Sequence, residues 1–178
     1  MESQEKGWLG NMLGWGRRRQ LDTSEILYGN AVALAREPAF FRDHGVADTV
    51  DGRFDSLALV VALVMRRLKS CGDEGAGLSQ QVFDSMFSDM DLSLREMGAG
   101  DIGVSKRVRV MAEAFMGRLD AYSTALDDGD REALAAAIGR NLLRGDGAAS
   151  AELVDFVLAL EARLSVLEDD VLLAGGLD

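Results

Sequence analysis

The sequence contains few residues that form disulfides, bind metals or interrupt helices. One cysteine, Cys71, rules out a disulfide framework, and one histidine, His44, is too few for nearly every Cys/His zinc site. Only one proline occurs in 178 residues, which favours long helices because proline breaks a helix interior. We therefore predict a helix-rich chain with no metal site and no cofactor.

Basic residues and long apolar runs are also scarce. Lys and Arg total 19 against 30 Asp and Glu, a formal charge of -11, which argues against a nucleic-acid surface because such a surface must neutralise phosphates. The longest uninterrupted apolar run, Leu57 to Met65, is far shorter than the ~20 residues that span a bilayer. No secretory signal is recognisable at the N-terminus. These absences predict a cytoplasmic protein that neither crosses a membrane nor recognises nucleic acid.

What the sequence does contain is helical periodicity between recognisable start and stop residues. Apolar residues make up 48% of the chain, which is enough for one packed core. Asp22 with Glu25 forms a capping pattern before the first helix, and glycine-rich residues 72–77 are expected to form a loop. The predicted helices cover residues 24–37, 51–70, 79–97, 104–126, 130–144 and about 150–171. The predicted fold class is all-α, a single-domain bundle of about six helices.

The pattern divides the chain into three parts. Residues 1–20 form a flexible, basic and tryptophan-rich tail, residues 21–145 a helical domain, and residues 146–178 a C-terminal helix with heptad-spaced apolar residues that packs on the same domain. A heptad seam closes an intramolecular bundle more often than it forms a coiled coil, so we expect a monomer. Dimerisation through this helix stays open as the alternative.

The N-terminal tail has the composition of a segment that contacts a membrane surface. In a helical projection its large apolar residues share one half, and arginines follow where anionic headgroups would attract them. The residues predicted to make this contact are Trp8, Leu9, Met12, Trp15, Arg17 and Arg18. A disordered tail, or tryptophans packed against the core, is the other interpretation, because four glycines disfavour a helix in water.

Motifs for catalysis are weak. Residues 98–103, GAGDIG, match the dinucleotide pattern G-x-G-x-x-G, but they follow a predicted helix, whereas a nucleotide-binding turn follows a strand. Cys71 has no identifiable histidine partner, and His44 lacks the Glu-x-x-His spacing of a di-metal bundle. We therefore predict that the protein is not an enzyme.

Two polar clusters remain as candidates for binding. One stands at the start of the helix predicted over 51–70 and comprises Asp48, Asp51, Arg53 and Phe54. The other brackets the turn after the helix predicted over 79–97 and comprises Arg95, Asp101, Lys106 and Arg107. Acids near a helix N-terminus are favoured by the helix dipole, so capping alone is an alternative explanation for the first cluster.

These clusters belong to a longer series of motifs. The segments are LYG at 27–29, AREPAFF at 35–41, DTVDGRFD at 48–55, REMG at 95–98, KRV at 106–108, MAEAF at 111–115, RNL at 140–142 and RG at 144–145. In these segments the chain resembles the ubiquinol–cytochrome c chaperone family, over residues 27–145. The tail and the helix after residue 145 lie outside the resemblance, which implies no role for either.

The resemblance implies an all-helical, non-catalytic assembly factor for respiratory complex III. Eukaryotic members of the family engage newly made cytochrome b near the ribosome, together with a small partner protein. Without a mitochondrial presequence, this chain looks like a bacterial relative that works at the cytoplasmic side of the inner membrane, peripheral to it. The eight residues of the two polar clusters are then the candidate client-binding residues, with cytochrome b as the client.

A second function class is a lipid- or quinone-binding helical carrier at the membrane surface. The strongly apolar helix over 51–70 and the tryptophan-rich tail suggest it.

Eight methionines would give a chaperone adaptable apolar contacts, although most of them are expected to fill the core.

Overall fold

The computed structural model describes residues 22–96, 98 and 101–178, with the backbone alone at residues 101 and 102. Within these ranges the chain forms helices and no strand. The helices are α1 (Thr23–Ala35), α2 (Pro38–Arg42), α3 (Val50–Leu68), α4 (Gly72–Glu96), α5 (Asp101–Asp127), α6 (Arg131–Asn141), α7 (Ala151–Ser165) and α8 (Asp169–Leu173). Helices α2 and α8 have only five residues each, so the other six, longer helices make up the bundle. The predicted all-α bundle of about six helices is therefore confirmed.

Helix α3 lies at the centre of the hydrophobic core. Its middle is apolar on every side, and residues 58–64 are each at most 2% exposed. Helices α1, α4, α5 and α7 pack around it. A helix without a polar face has to be covered on all sides, so the central position of α3 follows from its sequence.

Helices α4 and α5 form a hairpin whose inner part is held by three phenylalanines. The ring centres of Phe83 and Phe87, on α4, lie 5.7 Å and 5.9 Å from that of Phe115 on α5. These separations are typical of favourable aromatic pairs. Nearer the turn, Leu92 and Val110 are exposed, so this end of the hairpin extends past the core.

The starts of the helices follow their capping residues. Asp22 Oδ1 accepts a hydrogen bond from the Ser24 amide at 2.7 Å, and the Glu25 carboxylate accepts one from the Asp22 amide at 3.1 Å. The predicted capping pattern is therefore confirmed. Side chains also cap α3, α6 and α7, and they are those of Thr49, Asp130 and Ser150.

The loop predicted at residues 72–77 is wrong, because these residues begin α4. A 3₁₀ turn, Lys69–Cys71, links α3 to α4, and Gly72 reverses the chain with a φ of +65°. Helix α4 then starts against the end of α3, since a Cβ at Gly75 would lie 2.1 Å from the Leu68 carbonyl oxygen. The glycines allow two helices to approach closely. A glycine-rich composition alone does not distinguish such a contact from a loop.

The C-terminal heptad helix ends earlier than predicted. Helix α7 stops at Ser165, and α8 forms a separate short helix. Leu172 in α8 and Leu177 after it are both buried in the core. The Asn30 side-chain amide donates a hydrogen bond to the Gly175 carbonyl at 2.8 Å. The last residues thus pack against α1, and these tertiary contacts replace the third heptad of a continuous helix.

The loop after α6 lies directly against that helix. Gly139 is buried within α6, and a Cβ there would lie 2.0 Å from the Gly147 carbonyl oxygen. The Gly145 amide also donates a hydrogen bond to the Gly139 carbonyl at 3.0 Å. Position 139 therefore has no room for a side chain.

We expect Gly139→Ala to lower the free energy of unfolding by about 1–3 kcal/mol, because the added methyl group meets backbone that has to shift. Gly117→Ala is a matched control, since Gly117 lies in α5 with open space at its Cβ position and alanine favours a helix by about 0.5–1 kcal/mol. Chemical denaturation measures both effects. Equal stability of the two variants would contradict the close approach of loop and helix.

Candidate functional site

A buried carboxylate near the start of α3 connects three parts of the fold. The Asp55 side chain is fully buried and accepts hydrogen bonds from two arginines. Nη1 of Arg118, on α5, lies 2.7 Å from Asp55 Oδ1, and Nε of Arg144 lies 2.5 Å from Oδ2. A buried charge is costly unless it is paired and hydrogen-bonded, so these contacts tie α3 to α5 and to the loop after α6. We call Asp55, Arg118 and Arg144 the Asp55 cluster.

Two of the candidate client-binding residues contact the Asp55 cluster. Arg144 Nη1 lies 3.1 Å from Asp51 Oδ2, and Arg118 Cζ lies 5.7 Å from the centre of the Phe54 ring, a cation–π distance. The buried Tyr122 lies beside Arg118, and burial raises the pKa of its phenol. Asp51 and Phe54 are therefore held in place by arginines that also bind the buried carboxylate.

Arg144 adopts a backbone conformation that residues other than glycine rarely use. Its φ is +54°, in the left-handed region where the Cβ atom is crowded at a cost of about 1–2 kcal/mol. Its side chain bonds to Asp55 and Asp51. The ion pairs offset the local strain, so the backbone of this loop is set by the carboxylates of α3.

Arg53 and Asp48, from the first candidate cluster, line a pocket of about 410 Å³. Arg53 Nε lies 2.7 Å from Asp48 Oδ1, and both side chains are more than half exposed. Hydrogen bonding to Arg53 lowers the pKa of the Asp48 carboxyl. The remaining lining residues follow α1 or belong to α2, and they are Arg36, Pro38, Phe41 and Arg42. We call this concavity the arginine pocket.

The second candidate cluster lies at the turn end of the α4–α5 hairpin. Arg95 Nε lies 2.5 Å from Asp91 Oδ2, one turn earlier on the same helix. Asp101 begins α5, and Lys106 and Arg107 are exposed on that helix. Among the described side chains, neither Lys106 nor Arg107 forms an ion pair or a hydrogen bond with the first cluster. The structure therefore places the two clusters on separate elements, each with its own contacts.

An apolar groove opens near the end of α3, away from Asp55. It has a volume of about 640 Å³ and lies between the end of α3, the first turns of α4 and the later turns of α5. Its apolar lining includes Met65, Met116 and Leu119, and Met116 is 50% exposed. Four charged residues also line it, two of each sign, and they are Arg66, Lys69, Asp120 and Asp127. None of the eight candidate client-binding residues lines this groove.

The candidate membrane-contact residues lie outside the described residues, and they are Trp8, Leu9, Met12, Trp15, Arg17 and Arg18. Within the ranges that the structure describes, no helix is both long and apolar enough to cross a bilayer. In the same ranges, no three His, Cys, Asp or Glu side chains are grouped so that they could hold a metal ion.

The sequence pattern did not reveal the Asp55 cluster as a unit. A carboxylate on the core face of an otherwise apolar helix does indicate a buried cationic partner. The sequence is therefore sufficient to predict that Asp55 is buried beside a cation. Its partners lie 63 and 89 residues further along the chain. Their identity depends on how α5 and the loop after α6 pack against α3.

We expect Asp55→Ala to lower the free energy of unfolding by about 3–5 kcal/mol, because two arginines lose their buried partner. Asp155→Ala removes the same group from an exposed ion pair with Arg131 and is expected to cost less than about 1 kcal/mol. Urea-induced unfolding at neutral pH measures both variants. Similar losses would mean that the Asp55 cluster contributes no more than a surface ion pair.

Known proteins share both sequence and fold with this chain. The family model described as Ubiquinol-cytochrome C chaperone matches residues 42–178. The match begins later than the resemblance noted over 27–145, and it extends through α7 and α8. Among curated proteins, none matches the chain significantly.

A solved structure shows the same arrangement of helices. The crystal structure of the Cbp3 homolog from Brucella abortus is 38% identical in sequence, with a TM-score of 0.75, and 86% of this chain and 86% of that chain are covered. A family match over more than half of the sequence and this structural likeness agree with the resemblance seen in the motifs. The chain belongs to the ubiquinol–cytochrome c chaperone family.

Proposed function

We propose that this protein assists the assembly of ubiquinol–cytochrome c reductase, respiratory complex III, as a non-catalytic chaperone that binds newly made cytochrome b. Family membership over residues 42–178 is the observation that supports this function. The likeness to the Brucella abortus protein over 86% of the chain adds to it. The work is done at the cytoplasmic side of the inner membrane, with the protein peripheral to that membrane.

A chaperone for a membrane protein needs apolar and charged contact surfaces together. A membrane protein that is not yet inserted exposes apolar spans and the charged loops between them. The apolar groove offers Met65, Met116 and Leu119, and methionine adapts to irregular partners because its side chain is flexible and polarisable. This groove suits contact with an apolar span of the client.

We assign the binding of the client's charged loops to the eight candidate client-binding residues. Arg53 beside the arginine pocket and Arg107 on the α4–α5 hairpin are exposed, so a partner can reach both guanidinium groups. Asp51 and Phe54 are held by the Asp55 cluster, which fixes the surface next to Arg53 before any client arrives. A surface that is already ordered loses less conformational entropy on binding.

We expect Arg53→Glu and Arg107→Glu each to reduce cytochrome b capture about tenfold or more, because an acidic client group that binds the arginine would then face a like charge, which costs several kcal/mol at an interface. A pull-down with the tagged full-length chain, with recovered cytochrome b quantified by immunoblot, measures the loss. Arg131→Glu is the control, since Arg131 is exposed and belongs to neither candidate cluster. Normal capture by both test variants would refute this client-binding surface.

We propose that the N-terminal tail brings the chaperone to the membrane surface. We expect removal of residues 1–20 to abolish co-sedimentation with liposomes that contain anionic lipid, because the removed tryptophans and arginines supply both apolar and electrostatic attraction. Liposomes of neutral lipid alone are the control for the electrostatic part. Unchanged sedimentation of the truncated protein would exclude the tail as the membrane contact.

A lipid- or quinone-binding carrier is the second candidate function. The apolar groove favours it, since its volume of about 640 Å³ falls within the ~300–1,000 Å³ typical of small-molecule sites. Native mass spectrometry of the purified protein distinguishes the two functions, because a carrier would retain an isoprenoid or lipid of defined mass.

A further inference from the structure

The arginine pocket has more positive charge than its own acid neutralises. Three arginines line it, Arg36, Arg42 and Arg53, against one acid, Asp48. Three positive charges minus one negative charge leave the pocket with a net charge of +2. Within the described contacts, Asp48 bonds to Nε of Arg53 alone, so the two terminal nitrogens of that guanidinium are available as donors.

This excess is unusual within the described part of an acidic chain. Nine arginines there lie within 4.0 Å of a carboxylate, and Arg66, Arg118 and Arg131 are examples. By contrast, four arginine side chains have neither an ion pair nor a hydrogen bond among the described residues, and they are those of Arg107 and Arg140 and, in the pocket, those of Arg36 and Arg42. These two unpaired guanidinium groups line the same concavity.

The charge and the size of the pocket fit a phosphate monoester. Such a group has a charge of about −1.5 to −2 at neutral pH, which matches the pocket, whereas a carboxylate would neutralise only half of the excess. Guanidinium groups donate paired hydrogen bonds that suit phosphate oxygens. A volume of about 410 Å³ is that of a small-molecule site. Phe41 and Pro38 supply an apolar wall for the rest of the ligand.

We propose that the arginine pocket binds the phosphate monoester group of a small organic molecule or of a lipid headgroup, with Arg36 and Arg42 as its main ligands and Arg53 shared with Asp48. Two sources have this chemistry, a soluble phosphate ester and phosphatidic acid. Neither requires cytochrome b. The main ligands, Arg36 and Arg42, are not among the candidate client-binding residues, although the pocket shares Arg53 and Asp48 with them.

The test uses the full-length chain and two probes. Isothermal titration with glycerol 3-phosphate measures binding of a soluble ester. Co-sedimentation compares phosphatidylcholine vesicles that contain phosphatidic acid with vesicles that contain phosphatidylglycerol, because the tail is attracted to both anionic lipids and only phosphatidic acid has a phosphate monoester. We expect Arg36→Gln and Arg42→Gln each to weaken binding about tenfold or more, because each removes a hydrogen bond between charged groups. Arg131→Gln, at an exposed arginine outside the pocket, is expected to leave binding unchanged.

The outcomes separate the sources and test the site. Binding of glycerol 3-phosphate that both pocket variants weaken supports a soluble ester. Sedimentation that is stronger with phosphatidic acid than with phosphatidylglycerol, and that loses this difference in the same variants, supports the lipid. Absence of both kinds of binding at millimolar probe, or binding that neither pocket variant alters, would overturn the proposal. Thermal unfolding confirms that the variants, altered only at exposed positions, remain folded.

Discussion

Burial of the Asp55 carboxylate is the constraint on which the arrangement of this bundle depends. Helix α3 starts as a polar segment at the surface and becomes fully apolar by residue 58, and Asp55 stands where the helix enters the core. A carboxylate in that position has to be neutralised by cations that also hydrogen-bond to it. Arg118 and Arg144 do so from two distant parts of the chain. The alignment of α5 along α3 and the path of the loop after α6 are both set by this requirement.

The Asp55 cluster holds one of the two charged surfaces in place, the one beside the arginine pocket, and does not contact the other, at the turn end of the α4–α5 hairpin. Beside the arginine pocket, Asp51 and Phe54 contact arginines that are already fixed by the buried carboxylate, so this surface is ordered before binding. At the turn end of the α4–α5 hairpin, Arg95 pairs within its own helix and Lys106 and Arg107 are exposed. Leu92 and Val110 are exposed there, so part of that end lacks buried apolar contacts and can adjust to a partner.

The sequence predicted the elements that local interactions determine. The Asp22–Glu25 cap and the all-helical class each depend on residues that are close in sequence, and the structure agrees with both. The start of α4 at Gly72 and the break after Ser165 depend instead on contacts with α3 and α1, which periodicity does not contain. The same division holds for the candidate site: the charge pattern singled out Asp48, Asp51, Arg53 and Phe54 as candidates, whereas the link from Asp55 to Arg118 and Arg144 required the packed fold.

The placement of the two concavities on α3 has a consequence for stoichiometry. Arg53 lines the arginine pocket and Arg66 lines the apolar groove, thirteen positions apart on one helix. With a rise of 1.5 Å and 3.6 residues per turn, they are separated by about 20 Å along the axis and about 220° around it. A single straight segment cannot occupy both concavities, because they open on different sides of the molecule. A ligand confined to one concavity leaves the other open, so the protein has the geometry to hold two ligands at once.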